Sequence, residues 1–597
     1  MSLPARDDIS PQHRFDLTSI FQTPTEWEVA YETLQSDLRE LQSYAEKPLR
    51  TTTDLKTLLE ATEECYRRKQ RLELYATLVR NVDTDGEAAN DRLTRYRQVA
   101  SAFDTAVAAI RRRLRQIDDA HFEALVVDLE EDQYRRYAEN LREQASYARS
   151  DEIERAVEAF ESPRTAPTRI IRSILTGDFD PPTVERLDEE CVSVRPGNVR
   201  TELSRDDREY RKRVYEAYHE ELDRFEHTLA RAYVEKLRSA ASVVEVRGYD
   251  SIRDRDFRQR CYPESGLKSA LSSEVHEAML DGVRDNLEPY HRVQELRKRR
   301  LGVETLCPWD LQVSVAECET PTVEYDELQS HVLAALEPLG PDYVEQVRAF
   351  FDDRRIDVFP TENKRTDIPA YCPSSASDGA YILANFQEDV RTAFFVCHEL
   401  GHAMHVDHHR DGPVRYATCP RPVEEVPSLL HELLLADRFI DAGGALAAAA
   451  RNRLLECLGG NLYGATMSSV FVHHLSTKVE SGEDVAANRA RETWADLQSE
   501  FRPVVEYGDR SGRDWLGRGT RELYSNYQYV LGATGALVVH RKLTEGEFDT
   551  TEYREFLRST GRYSAVESFV RLGCDVTSKP TFERAVSAFD DYVDAMR

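Results

Sequence analysis

Apolar residues near the start of the chain recur at helical spacing. Trp27, Tyr31, Leu34, Leu38 and Leu41 share one face of a 3.6-residue repeat. Ahead of them, Thr23-Pro24-Thr25-Glu26 predicts a capping box with proline at the first helical position. A second helix is expected over about 54–79, with Leu55, Leu58, Leu72 and Tyr75 apolar and the opposite face charged. Asn81, Asp83, Asp85 and Gly86 match the opening of a calcium loop, but loop position twelve is Arg92 instead of glutamate. An inter-helix turn is the better reading. Pro163 to Pro167 and Asp178 to Pro182 read as irregular connections. Helical spacing resumes after Asp206 through Tyr210, Val214 and Tyr218, and Pro308-Trp309-Asp310-Leu311 reads as extended. The texture then changes. Ile356-Asp357-Val358 and Tyr381-Ile382-Leu383-Ala384 read as short strands, punctuated by Pro360, Pro369, Pro373 and Gly379. No repeat of 20–50 residues is visible. The pattern predicts a mainly α protein with a small β-sheet. We expect an N-terminal helical region over 1–200 and a catalytic helical region over 201–597.

Composition narrows the partners. Apolar residues make up 41% of the 597, enough for a large core. The formal charge is 79 − 108 = −29, which argues against nucleic-acid binding, since phosphate neutralisation needs a basic face. Such an acidic, lysine-poor surface suits high salt, and equally an ordinary acidic cytosolic protein. No run approaches the roughly 20 apolar residues of a membrane span. The stretch Gly443 to Ala450 stops at Arg451, and Arg6, Asp7 and Asp8 interrupt any apolar leader. The ten cysteines form no C-x-x-C, the closest pair being Cys307 and Cys318. They read as reduced thiols in a cytoplasmic protein.

His398-Glu399-Leu400-Gly401-His402 is an H-E-x-x-H motif. Asp389 is a candidate N-cap, and Val390, Phe394 and Cys397 lead helically into the motif. On a helix, His398 and His402 stand one turn apart and both imidazoles can reach one zinc ion. Glu399 beside them is placed to take a proton from water rather than to bind metal. A third ligand is needed. His408 has the metzincin spacing, ten residues after His398, but His405 stands where that layout needs a glycine turn. Glu425, 23 residues beyond His402, is the favoured ligand, expected at a helix start because Pro427 follows it. Glu432, seven residues on, returns to the same face and can accept a hydrogen bond from a ligand imidazole. His405 is expected to be a hydrogen-bonded neighbour, and His408 and His409 to lie near a frayed helix end.

The string from His398 to His405, with Glu425-Val426-Pro427-Ser428 and Glu432, resembles oligoendopeptidase F and its relatives around thimet oligopeptidase. Weaker likenesses are Asp16 to Phe21, Arg247 to Ser251 and Tyr381 to Phe386, so the resemblance spans nearly the whole chain. It implies a prolate, largely helical body with a deep channel, a small sheet at its wall and zinc at its floor. The segment Glu522 to Tyr529, ahead of Ala533-Thr534-Gly535, departs from the family. Tyr527 matches a family tyrosine, but Glu522 stands where the family has histidine and Gly532 where an aromatic is usual. Lys364-Arg365 also matches a family string, with Pro369 where glycine is usual.

The resulting expectation is a zinc endopeptidase cleaving oligopeptides. His398, His402 and Glu425 hold one zinc ion, Glu399 acts as general base, and Tyr527 donates to the oxyanion. Tyr524 and Tyr529 are the alternatives to Tyr527. Glu522 is expected to point away, stay protonated or pair with Arg518 or Arg521, the first at helical spacing. The Tyr381 to Ala384 strand offers substrate-backbone pairing or is plain core. The competing functions are a zinc metallocarboxypeptidase, a catalytically weakened zinc-containing peptide-binding protein, and a zinc-free helical scaffold.

Overall fold

Two hydrophobic cores carry the helices. The first draws on α1 (Pro24–Glu46), α2 (Thr52–Val82) and α3 (Glu87–Gln116). Trp27, Leu34, Leu38, Leu41, Leu58 and Leu72 are buried in it, so the apolar stripe of the sequence is the packed face. The Trp27 indole N–H donates to the Leu72 carbonyl at 3.2 Å. Tyr381, Leu383 and Val414 from the distant second half of the chain close this core. The second core runs from Ile171 to Val593 and surrounds the H-E-x-x-H helix. The computed structural model describes residues 3–145, 147, 149–187, 189–259, 271–315, 321–410 and 412–596. Cys261 and Cys318 lie outside the described residues.

Local expectations meet several corrections. Thr23 caps α1 by accepting from the Glu26 N–H at 3.4 Å, but the Glu26 carboxylate accepts from Gln22 and not from Thr23. Asp83 to Gly86 is the turn between α2 and α3, as expected, while Asn81 belongs to the last turn of α2. Pro163 to Pro167 is not irregular; it lies inside α4 (Glu161–Ser173). Pro163 falls in the first turn, where an N–H has no helical partner, and Pro167 then forfeits only one bond. Pro308–Asp310 is a 3₁₀ turn rather than an extended stretch. It is held by buried Asp310, which pairs with Arg208 at 2.9 Å and Arg211 at 2.8 Å.

Seven short strands form three sheets among the described residues. β1 (Thr183–Glu185) and β2 (Cys191–Ser193) make a hairpin that the pattern did not indicate. β3 (Ile356–Asp357) runs parallel to β7 (Ile382–Ala384), which pairs antiparallel with β4 (Ala370–Tyr371). β5 (Ser374–Ser375) and β6 (Gly379–Ala380) form a separate hairpin. β7 is therefore the central strand, and both of its edges are taken. That rules out pairing of the β7 backbone with a substrate, because no unpaired N–H row remains. Lys364 is buried under this sheet, 2.9 Å from Asp357 and donating to the carbonyls of Phe359 and Ala384 at 2.8 and 2.5 Å. Arg6 reaches the same carboxylate at 2.6 Å. The family-like Lys364 thus ties the sheet together.

Four helices frame the H-E-x-x-H segment. They are α5 (Val390–His409), α6 (Arg421–Ala442), α7 (Gly444–Gly459) and α8 (Tyr527–Thr544). Asp389 caps α5, accepting from the Thr392 N–H at 2.7 Å. α6 begins four residues before Glu425, with Pro422 in its first turn. Glu425 therefore sits in the second turn, not at the helix start, and Pro427 is interior to the helix. Pro422 takes the early position that the sequence reading gave to Pro427.

Candidate metal centre

A glycine brings the two helices of the site together. An ideal Cβ on Gly401 would lie 2.4 Å from Ser428 Cα and 2.6 Å from the Pro427 carbonyl oxygen. α5 and α6 thus touch backbone to backbone, which only glycine permits. Glu425, three residues before Ser428, is carried over the face of α5 that bears His398 and His402. A second tie lies deeper. The fully buried His431 ring donates from Nδ1 to the Cys397 carbonyl at 3.2 Å and accepts from the Tyr343 hydroxyl at 2.8 Å.

The ring nitrogens away from the centre are both occupied. His398 Nδ1–H donates to Glu432 Oε1 at 2.8 Å, and the other Glu432 oxygen takes Arg453 at 3.2 Å. His402 donates to the backbone of Glu424. Each imidazole is therefore fixed with Nε2 inward. The two Nε2 atoms are 3.2 Å apart, and Glu425 Oε2 lies 3.7 Å from one and 3.9 Å from the other. All three donors fall within 4.8 Å of one another, and no other such group occurs among the described residues. Ligand bonds of about 2.0–2.2 Å place tetrahedral donors roughly 3.3 Å apart, close to this spacing. Two inward lone pairs at 3.2 Å need a cation between them. The donor set therefore fits zinc.

The electrostatics agree with a cation site. Burial works against charge on His398, but the Glu432 hydrogen bond and charge, with Glu399 and Glu425, lift it to about 9. The negative potential that favours a proton there favours a divalent ion in the same place. Burial, helped by the His398 charge, holds His402 well below the ordinary histidine range. Burial pushes Glu399 up to about 7, against the pull of His398. Glu425 is raised by burial, and Glu432 is lowered because Arg453 and His398 outweigh its burial.

The remaining candidates lie elsewhere. His408 donates to the Met404 carbonyl at 2.8 Å and stands outside the donor group. His405 is hydrogen-bonded, as expected, at 2.7 Å from the Thr560 hydroxyl, and His409 reaches the same oxygen at 2.8 Å. The end of α5 is thus pinned, not frayed. Asp407 pins it again through both oxygens to Arg355, at 2.7 and 2.9 Å. Tyr527 is 3% exposed and packs edge-on against Phe257 at 5.2 Å. Glu522 is exposed in a turn before α8, so the helical Arg518–Glu522 pair does not form. Arg518 turns inward to Ser468 at 3.2 Å and over the Trp494 ring. The Glu522 charge acts instead on Lys236, whose amine burial lowers to about 8.

Sequence reasoning missed Gly401 and Gly532 as site residues. A Cβ on Gly532 would meet Glu425 Cβ at 2.4 Å. A side chain has no room here, because α8 packs against the back of Glu425. Glycines inside apolar helices were the available signal. Arg453 and His431 carried no local signal, since their roles depend on contacts made across helices.

The family model for Peptidase family M3 matches residues 202–588, well over half of the chain. Oligopeptidase PepF of Bacillus subtilis (strain 168) is 23% identical over 612 residues, covering 100% of this chain and 88% of that protein. A crystal structure of a candidate peptidase from Chlamydophila abortus aligns with TM-score 0.90 at 19% identity, covering 100% of this chain and 99% of that one. Oligoendopeptidase-F from Enterococcus faecium aligns with TM-score 0.70 at 20% identity, covering 96% and 98%. At these identities the structures establish a shared fold. Among the described residues, no helix is long and apolar enough to cross a membrane.

Gly532→Ala is expected to displace Glu425 and weaken zinc binding while the helix content stays unchanged. Competition with a chromogenic chelator, alongside circular dichroism, reads both. Unaltered affinity would show that Glu425 does not depend on the approach of α8.

Proposed function

The chain belongs to peptidase family M3, and from that premise we propose that it is a zinc-dependent endopeptidase hydrolysing oligopeptides. The observation that carries this reading is the convergence of His398, His402 and Glu425 within 4.8 Å, with Glu399 next to His398 on the same helix. Bound zinc supplies Lewis acidity, lowering the pKa of water and polarising a carbonyl. Glu399 accepts the proton of the attacking water and returns it to the leaving amine. Its carboxylate is the one acid of the group that is not a proposed ligand or locked to a cation. Glu432 holds the His398 ring in the tautomer that presents Nε2, and Arg453 keeps Glu432 ionised for that task.

Tyr527 is assigned the hydrogen bond to the developing oxyanion. That role rests on the resemblance of its segment, and the Phe257 contact supports a fixed ring. The eight described cysteines are all free, which supports a reducing, cytoplasmic setting. A formal charge of −29 favours peptides over nucleic acids as partners.

Glu399→Gln should retain zinc and lose turnover, because the amide keeps the shape but cannot accept the proton. Metal analysis with a quenched-peptide assay checks this; sustained hydrolysis by the loaded variant would remove Glu399 from the mechanism. Glu425→Ala should release zinc to a competing chelator, whereas His408→Ala should hold it as the unaltered protein does. The opposite pattern would favour the metzincin ligand set. Tyr527→Phe should lower kcat by about 10²–10³ with little change in KM, as for loss of one oxyanion donor. An unchanged kcat would pass the role to Tyr529 or Tyr524.

A further inference from the structure

A cavity of about 350 Å³ lies beside the turn that leads into α8. Its walls come from α4, the helix Glu226–Arg247, the helix Ile252–Gln259 and the turn at Glu522 and Leu523. Arg164 reaches it from the first, Lys236 and Arg247 from the second and Arg255 from the third. Four cations around one cavity are unusual in a chain where acidic residues outnumber basic ones by 29. None of the lining residues is a metal donor.

These cations crowd one another. Burial holds the Arg164 guanidinium below the ordinary arginine range, and the charges of Arg255 and Arg247 lower it further. At the end of α3, Arg115 is lowered by burial, with Arg111, Arg112 and Arg247 adding to the effect and Glu154 opposing it. Three acids also line the cavity. Glu161 pairs with Arg164 from the exposed rim. Buried Asp256 takes two nitrogens of Arg255 on one oxygen, at 3.1 and 2.6 Å. Glu522 is exposed, and its charge acts on Lys236. Arg247 pairs at 2.7 Å with Glu154, which is not part of the lining. Donors are still left over. Arg164 and Arg247 each bury an Nε–H that meets no acceptor among the described residues, and such a group costs stability until one is supplied. Lys236 donates to the Gly519 carbonyl at 3.1 Å and to that of Arg521, and keeps a third N–H.

We propose that this cavity binds a small dianion of the phosphate class, with Arg164, Lys236 and Arg247 as donors and Arg255 as a fourth charge on the wall. The donors stand on separate walls, so the ligand needs acceptor oxygens pointing several ways. A tetrahedral oxyanion has them, whereas a carboxylate presents two oxygens in one plane. Arginine suits phosphate oxygens through its planar fork, and lysine adds a point charge. The volume is at the small end of ligand sites, which fits a free ion or a small ester. The bound ion ties together stretches that are distant in sequence, and two of these seat Tyr527. Phe257, next to Asp256, packs against the Tyr527 ring at 5.2 Å, and the turn at Glu522 runs into α8. The inference goes beyond the peptidase reading and stands without it.

The test titrates inorganic phosphate into the full chain by calorimetry at low ionic strength, with thermal unfolding followed alongside. One saturable site and a rise in Tm are expected. Glycerol phosphate, run in parallel, distinguishes an ester from the free ion by which of the two binds more tightly. Arg164→Gln should weaken phosphate binding at least about tenfold, as for loss of a charged hydrogen-bond donor. It breaks only a rim pair with Glu161, and circular dichroism checks that the helices persist. Glu522→Gln, in an exposed turn, should tighten binding severalfold, because one competing negative charge is removed. Glu425→Ala, which alters the metal centre, should bind phosphate as the unaltered protein does. Absence of a saturable site, or an equal response to sodium chloride at matched ionic strength, would overturn the proposal. So would binding that ignores both Arg164→Gln and Glu522→Gln. Loss of binding in Glu425→Ala would place the phosphate at the metal centre and overturn it as well.

Discussion

The site depends on one steric contact, the approach of α5 to α6 at Gly401. A side chain there would occupy the space of the Ser428 backbone. With the backbones in contact, Glu425 reaches the two histidine nitrogens at 3.7 and 3.9 Å. A wider separation of the helices would leave the carboxylate short of them, whatever its rotamer. Gly532 repeats the device on the opposite side of α6, letting α8 pack against Glu425 from behind. Glu425 is thus set between two helices that both lack a side chain at the contact. Close packing of this kind holds donors to a few tenths of an ångström, as a metal centre requires.

Charge placement follows from that packing. His398, His402, Glu399, Glu425 and Glu432 come together in a space where burial alone would neutralise the acids. Arg453 prevents this for Glu432, and the hydrogen bond from His398 completes its coordination. The outcome is a graded set. Glu432 stays ionised and directs a ring, Glu425 presents an oxygen to the centre, and Glu399 is left with a carboxyl pushed up to about 7. One residue type serves three ends because each copy meets a different neighbour.

In the segment before α8, a turn decides the charge pairings. Glu522 lies in an exposed turn and its charge acts on Lys236, which donates to the Gly519 and Arg521 carbonyls. The carboxylate is thereby held in a turn tied to the body by a half-buried lysine. Arg518, free of Glu522, packs inward over Trp494. The turn, not a helix, decides these pairings, and Tyr524 with φ +51° marks how sharply the chain bends there.

Sequence alone determined the elements whose cause is local. The stripe Trp27, Leu34, Leu38 and Leu41 is a helix because its period is 3.6, and Asp389 is an N-cap because a free carboxylate there meets orphan N–H groups. The pair His398 and His402 was legible for the same reason, since four residues on a helix give one face. Glu425 was legible as a candidate but not in place, because Pro422 and Pro427 both qualify as helix-start prolines and only the packed structure chooses. The reach of Glu432 to His398, the closing of both edges of β7, the turn at Glu522 and the fit of Gly532 against Glu425 were decided by tertiary structure. Each depends on which segments meet in the folded chain, and spacing along one segment carries no record of that.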